Sequence, residues 1–167
     1  MSPLTGHTGS VLSVCFDHTG KKLASGGGSG DHSVRLWSTE SGAPIGSPLN
    51  GHSNSVMSVA WNNDGTKLAS GSYDSTVRIW SVGSVGTFEC QSPLTGHSRY
   101  FDCCFLLLLV FKRVVCAVNS QLYRDVSSVS FSSDGKQVAS GSYDNTVKIW
   151  ETSTGTCVST LRGHSRV

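Results

Sequence analysis

The chain of 167 residues carries 13 Lys and Arg against 11 Asp and Glu, a net charge of +2 too small to draw it to nucleic acid or an anionic membrane. Only 14% of residues are charged and 19 are Gly, which disfavours a helical protein and favours an all-β one rich in turns; 37% hydrophobic residues suffice for a core of ordinary size. The segment Met1 to His7 has no apolar signal core and no Arg-rich amphipathic pattern, so a cytoplasmic location is expected, and nothing argues against a nuclear one. The cysteines show neither a paired framework nor CxxC spacing, so no metal and no cofactor is expected, and Cys15, Cys90 and Cys157 read as reduced packing residues.

In chain order, a first strand is predicted over Val11 to Phe16, then a hairpin turn at Asp17-His-Thr-Gly20 and a second strand through Ala24. A polar turn and a third, β-branched strand close this unit at Trp37. The same order returns with Val56 to Trp61, the turn Asn63-Asp-Gly65, and the stretch Ala69 to Trp80. It returns again with Val126 to Phe131, Ser133-Asp-Gly135 and Ala139 to Trp150, a stretch identical to 69–80 at ten of twelve positions. Ahead of the units stand Gly6-His7, Gly51-His52 and Gly96-His97, spaced by 45 residues and each preceded by Ser-Pro-Leu, with a fainter Gly163-His164 at the end. Such a period marks a repeat array. Each unit reads as strand, hairpin, strand, Asp turn, strand, looser turn, outer strand.

The run of Gly-His, Asp-Gly turn and Ser-Gly-x-x-Asp-x-x-Val-x-Ile-Trp resembles the WD40 repeat family over practically all of the chain outside one interruption. The resemblance implies an all-β fold of four-stranded antiparallel blades standing radially around a channel, here an incomplete propeller of about three blades. Blade one would span 5–49, blade two 50–94, and blade three 95–162 with an insertion at 100–124; residues 163–167 would begin a truncated fourth repeat. The first strand of each unit would lie innermost and the Ser-Pro-Leu segment outermost, where Pro3, Pro48 and Pro93 are tolerated for want of an N–H. The residue after each Trp, often Asp in the family, is Ser38, Ser81 and Glu151 here.

The resemblance also implies a structural hydrogen-bonded tetrad in each blade: His7, Ser25, Asp31 and Trp37; His52, Ser70, Asp74 and Trp80; His97, Ser140, Asp144 and Trp150. A catalytic triad is the competing reading of His, Ser and Asp, but a threefold repeat without an oxyanion hole reads as a brace, and no catalytic residue is expected. The partner-binding face implied by the family comprises Ser10, Leu12 and Gly30 in blade one, Ser55, Met57 and Tyr73 in blade two, and Asp125, Ser127 and Tyr143 in blade three. Tyr73 and Tyr143 stand out as amphipathic groups of the kind that anchor interfaces, with simple coverage of the turns as the bland alternative.

Spacing measures the interruption. His to Ser is 18 residues in the first two units and 43 in the third, a difference of 25, while Asp to Trp is six throughout. Ser25 to Asp31 is two residues longer than its counterparts because of the run Gly26-Gly27-Gly28-Ser29-Gly30. Removing Tyr100 to Arg124, which holds Phe105-Leu-Leu-Leu-Leu-Val-Phe111, restores the ten-residue distance from Gly51 to Trp61. The apolar run of seven is far short of the roughly 20 residues that span a bilayer. Arg99-Tyr100 and Tyr123-Arg124 can be encoded with splice-donor and splice-acceptor dinucleotides in frame, so translated retained intron is the favoured hypothesis, with a membrane anchor and an evolved functional loop as alternatives. Transcript sequencing across Ser98 and Val126 tests it; uniform retention overturns it.

The expected function is a non-enzymatic scaffold binding other proteins or peptides, and a fragment of a longer array. Open blade edges are expected to make it self-associate. The alternatives are a propeller-fold enzyme, for which no active-site constellation is found, and a truncated or mis-spliced product without independent function.

Overall fold

A computed structural model describes residues 3–83, 88–97 and 125–164. Strands β1 (Val11–Phe16), β2 (Lys22–Gly27) and β3 (Val34–Ser38) form the first antiparallel sheet, in that order. The second sheet runs β4 (Val56–Trp61), β5 (Lys67–Ser72), β6 (Val77–Val82) and β7 (Phe88–Cys90). The third runs β8 (Val126–Phe131), β9 (Gln137–Ser142), β10 (Thr146–Glu151) and β11 (Cys157–Arg162). All three sheets are blades, and their first strands β1, β4 and β8 stand side by side. Tyr100–Arg124, the stretch read as retained intron, lies outside the described residues, as do 165–167 of the expected fourth repeat. Among the described residues no helix is long and apolar enough to cross a membrane.

Blade one departs from the expected four strands. Its last segment touches β3 only through the bridges Val34 to Leu49 and Trp37 to Pro44. The physical cause is the pair Pro44 and Pro48, which lack the N–H a continuous ladder needs, with Gly46 between them at φ 69°. In blade two the regular fourth strand is β7, and the Ser-Pro-Leu segment follows it, Leu94 bridging to Val77.

A bulge recurs at one place in each blade, between Val11 and Ser13, Val56 and Ser58, and Val126 and Ser128. An extra residue shifts the alternation of side chains, so valines three apart, such as Val56 and Val59, point to the same face. That face then carries Val56, Val59 and Trp61 in blade two and Val126, Val129 and Phe131 in blade three.

The core consequently lies between blades. Ala24, Val34, Leu36 and Leu49 of blade one pack against Val56, Val59, Trp61 and Leu68 of blade two. Ala69, Val77, Ile79 and Leu94 of blade two pack against Val126, Val129, Val138 and Phe131 of blade three. A single blade cannot bury its own apolar side chains, and stacking makes the core continuous. Each joint has a polar hook as well. Ser13 Oγ accepts the Val59 amide, and Ser58 Oγ accepts the Val129 amide, both at 3.1 Å.

Candidate functional site

The Asp turns are built the same way three times. Asp31-His32-Ser33, Asp74-Ser75-Thr76 and Asp144-Asn145-Thr146 each place the middle residue in the left-handed region, with φ of 59°, 72° and 64°. One carboxylate oxygen of Asp74 accepts the Thr76 amide at 2.9 Å and the Thr76 hydroxyl at 2.6 Å, and Asp144 does the same with Thr146 at the same distances. In blade one Ser33 supplies both donors to Asp31. The turn therefore fixes the carboxylate before any distant residue reaches it.

The second carboxylate oxygen faces the Gly-His loop. It meets His Nδ1 at 3.0, 2.8 and 2.9 Å in blades one to three, and it accepts the backbone amides of Thr8 at 2.7 Å and Ser53 at 3.0 Å. His Nε2 meets the Ser hydroxyl at 2.7, 2.7 and 2.8 Å. The same hydroxyl oxygen accepts the indole Nε1–H of Trp37, Trp80 and Trp150 at 2.8, 2.9 and 2.7 Å. Each tetrad thus runs Trp, Ser, His, Asp in one line of hydrogen bonds across the blade. The Gly of each loop leaves room for the neighbouring chain; a Cβ on Gly51 would lie 2.9 Å from the Arg78 guanidinium.

The electrostatics follow from these contacts. Burial alone would raise the Asp31 and Asp74 carboxyls, but hydrogen bonds from Ser33 and Thr8 to one, and from His52, Thr76 and Ser53 to the other, outweigh it and hold both well below the usual carboxylate range. Asp144 is lowered in the same manner by Thr146 and His97. Burial pushes the His97 ring below its ordinary value despite the pull of Asp144, so the ring is neutral at neutral pH. A neutral ring has one donor and one acceptor: Nδ1–H donates to Asp144, and Nε2 accepts from the Ser140 hydroxyl. The Ser70 and Ser140 side chains are fully buried and bonded on both sides, so no substrate carbonyl reaches either hydroxyl.

The rim residues fall into pairs. The Tyr73 amide donates to the Ser55 carbonyl at 3.0 Å, and the Tyr143 amide to the Asp125 carbonyl at 3.1 Å, tying each Asp turn to the residue before the innermost strand. In blade one the bond to the Ser10 carbonyl comes from Gly28, two residues ahead of Gly30, because the longer turn displaces Gly30. Tyr143 is 52% exposed and Leu12 44% exposed, Ser10 and Gly30 are exposed, and Tyr73, Met57, Asp125 and Ser127 are half-buried. Ser55 is buried and contributes backbone rather than side chain to this rim. Burial raises the Asp125 carboxyl, and Ser127 Oγ donates to the Gly141 carbonyl at 3.2 Å. Ser33, Thr76 and Thr146 are bound into the tetrads beyond the four residues the sequence points to; their signal in the sequence is a Ser or Thr two residues after every tetrad Asp. Among the described residues no group of three or more His, Cys, Asp or Glu side chains could hold a metal ion.

The family described as WD domain, G-beta repeat (WD40) matches residues 1–38, 42–81 and 117–151. The chain belongs to the WD40 repeat family. The third WD40 match begins inside the 100–124 segment that the spacing sets apart. The chain is 30% identical over 100 residues to Protein HIRA of Dictyostelium discoideum, covering 53% of this chain and 8% of that protein. It is 32% identical over 88 residues to Nuclear distribution protein PAC1 of Ajellomyces capsulatus, covering 52% of this chain and 18% of the other. The crystal structure of RRP9 WD40 repeats superposes with a TM-score of 0.73 at 26% identity, covering 96% of this chain and 41% of that one. The chain thus spans less than half the length of each of these proteins.

Proposed function

We propose that the chain is a non-enzymatic WD40 scaffold that binds other proteins or peptides through the rim where the Gly-His loops and the Asp turns meet. The observation that carries this reading is the placement of Tyr143. The residue is 52% exposed while its backbone is held by Asp125 and by a turn locked to a buried tetrad. An aromatic side chain presented on a rigid support loses little entropy on binding, which is the property of an interface anchor. Tyr73 stands on the equivalent turn of blade two, and Leu12 adds apolar surface on the blade-one side. The tetrads act in this reading as braces that hold the rim, with no part in chemistry. The WD40 family membership supports the same role.

The test is a Tyr73→Ala, Tyr143→Ala double variant compared with the parent chain in affinity purification of partners, with circular dichroism to verify the fold. Loss of the parent's partners with an unchanged spectrum is the expected result. A partner set that is unchanged sinks the assignment of this rim.

A further inference from the structure

The link between blades one and two is held at both ends and free in the middle. Leu49 is buried and exchanges two backbone hydrogen bonds with Val34, at 2.8 and 3.1 Å. Three residues on, buried His52 is fixed by Asp74 at 2.8 Å and by Ser70 at 2.7 Å. Between them Asn50 and Gly51 are both exposed, and among the described residues no group bonds to the Asn50 side chain or accepts the Gly51 amide.

An asparagine carboxamide is open to attack by the next backbone nitrogen, most readily when that residue is glycine and no Cβ shields the nitrogen. The other described asparagines are engaged elsewhere. The amide after Asn54 donates to Asn54 Oδ1 at 2.8 Å, and the amide after Asn145 donates to Asp144 Oδ1 at 2.9 Å. Asn62 is buried, with Oδ1 accepting the Lys67 amide at 2.9 Å, and Asn63 Nδ2 donates to the Ser133 carbonyl at 2.6 Å. In the other Gly-His loops the position of Asn50 is taken by Thr5, Thr95 and Arg162, none of which has a carboxamide.

We propose that Asn50-Gly51 is a site of spontaneous backbone modification that unlocks the tetrad of blade two. The Gly51 nitrogen attacks Asn50 Cγ: the N–Cγ bond forms, the Cγ–Nδ2 bond breaks, and Nδ2 leaves as ammonia with the proton that the Gly51 nitrogen loses. Water then opens the five-membered imide. Opening at Cγ leaves Asp, and opening at the α-carbonyl leaves isoaspartate, whose main chain runs through Cβ and Cγ. No oxidant or reductant takes part. The isoaspartyl link inserts one C–C bond, about 1.5 Å long, between two fixed points. The loop has no slack on the side of the blade, where even a Cβ on Gly51 would lie 2.9 Å from the Arg78 guanidinium. The extra length is therefore taken up at His52, and its bonds of 2.7 and 2.8 Å do not survive a displacement of that size. This proposal concerns a brace and does not rest on the Tyr rim being a binding face.

The test is to age the full 167-residue chain in mildly alkaline buffer beside Asn50→Thr and Asn50→Asp, with circular dichroism of the fresh proteins to verify the fold. Peptide mass spectrometry reads the exchange of NH2 for OH, and methylation by an isoaspartyl methyltransferase reads the isoaspartyl carboxyl. Residue 50 of the parent is expected to convert before any other described asparagine, and faster as pH rises, because attack needs the deprotonated amide. The aged parent should melt at a lower temperature than the aged Asn50→Thr chain. Fresh Asn50→Asp, which carries the charge on an ordinary main chain, should melt with the fresh parent. An intact Asn50 in a sample where another described asparagine has converted overturns the proposal. So does isoaspartate at residue 50 with a melting temperature equal to that of aged Asn50→Thr, or a fresh Asn50→Asp chain that melts as low as the aged parent.

Discussion

Leu94 and Leu161 occupy the same place in consecutive blades, bridge the same kind of valine, and differ in exposure from 4% to 54%. Val59 and Val14 differ in the same sense, at 5% and 60%. Residue type and local backbone are shared, so the difference comes from the neighbour alone. The inner joints are a hydrophobic core divided between two sheets, and the outer faces are the same core with one half absent from the described structure. The tetrads show the opposite behaviour. Each is closed within one blade, and His97 and Ser140 of blade three are as buried as His52 and Ser70 of blade two, the four lying between 0% and 7% exposed.

The contrast sets an order of expected effects. Leu94→Ala should be the most destabilising change, by about 2–5 kcal/mol in urea titration, while Leu161→Ala in dilute solution should stay within about 0.5 kcal/mol. Equal losses at the two sites would break the comparison. Next come the tetrads: Asp74→Ala leaves the ring of buried His52, and the Ser53 and Thr76 amides, without their acceptor and should cost on the order of 1–3 kcal/mol. Asp31→Ala in the outer blade should cost a similar amount, since its partners are also local; a negligible effect there would show that the tetrad depends on the next blade. Gly71→Ala forces a methyl against Val126 and should destabilise by about 1–3 kcal/mol, whereas Gly141→Ala should be near neutral.

The smallest change is expected on mild acidification. His97 is lowered in the fold, so below its ordinary value of 6.5 the unfolded chain binds the proton first and stability declines. A steeper decline should begin as pH falls below 3.8, where Asp31, Asp74 and Asp144 take up protons in the unfolded chain but remain ionised in the native tetrads. Thermal melts between pH 3 and pH 8 measure both, and stability that rises on acidification would contradict the assigned hydrogen bonds.

Much of this architecture was legible in the chain because its signals are local. A strand, an Asp turn and a Trp strand have fixed spacing, and the 18-residue interval from His to Ser is the distance that brings His52 Nε2 to the Ser70 hydroxyl. The 25-residue difference in the third unit was readable for the same reason, and β8 resumes with the pairing of blade two, Val126 to Ser142 as Val56 to Ser72. The interrupted ladder of blade one does not follow from the regular repeat: Pro44, Gly46 and Pro48 stand in the sequence, but whether they break the pairing depends on where β3 runs beside them. The roles of Ser33, Thr76 and Thr146 are not legible in the sequence because a small hydroxyl near a turn is common, and only the fold shows it aimed at the carboxylate.

The sequence by itself determined the all-β repeat, the composition of each tetrad and the turn that orients its Asp, since these rest on contacts within one unit whose spacing is written in the chain. Tertiary structure alone decided which apolar faces are covered, where Ser13 and Ser58 hook the next blade, and that Ser55 turns inward while Tyr143 stands out. Burial belongs to a pair of surfaces. Val14 and Val59 read identically as letters, and it is the presence of a neighbouring sheet that makes one of them core.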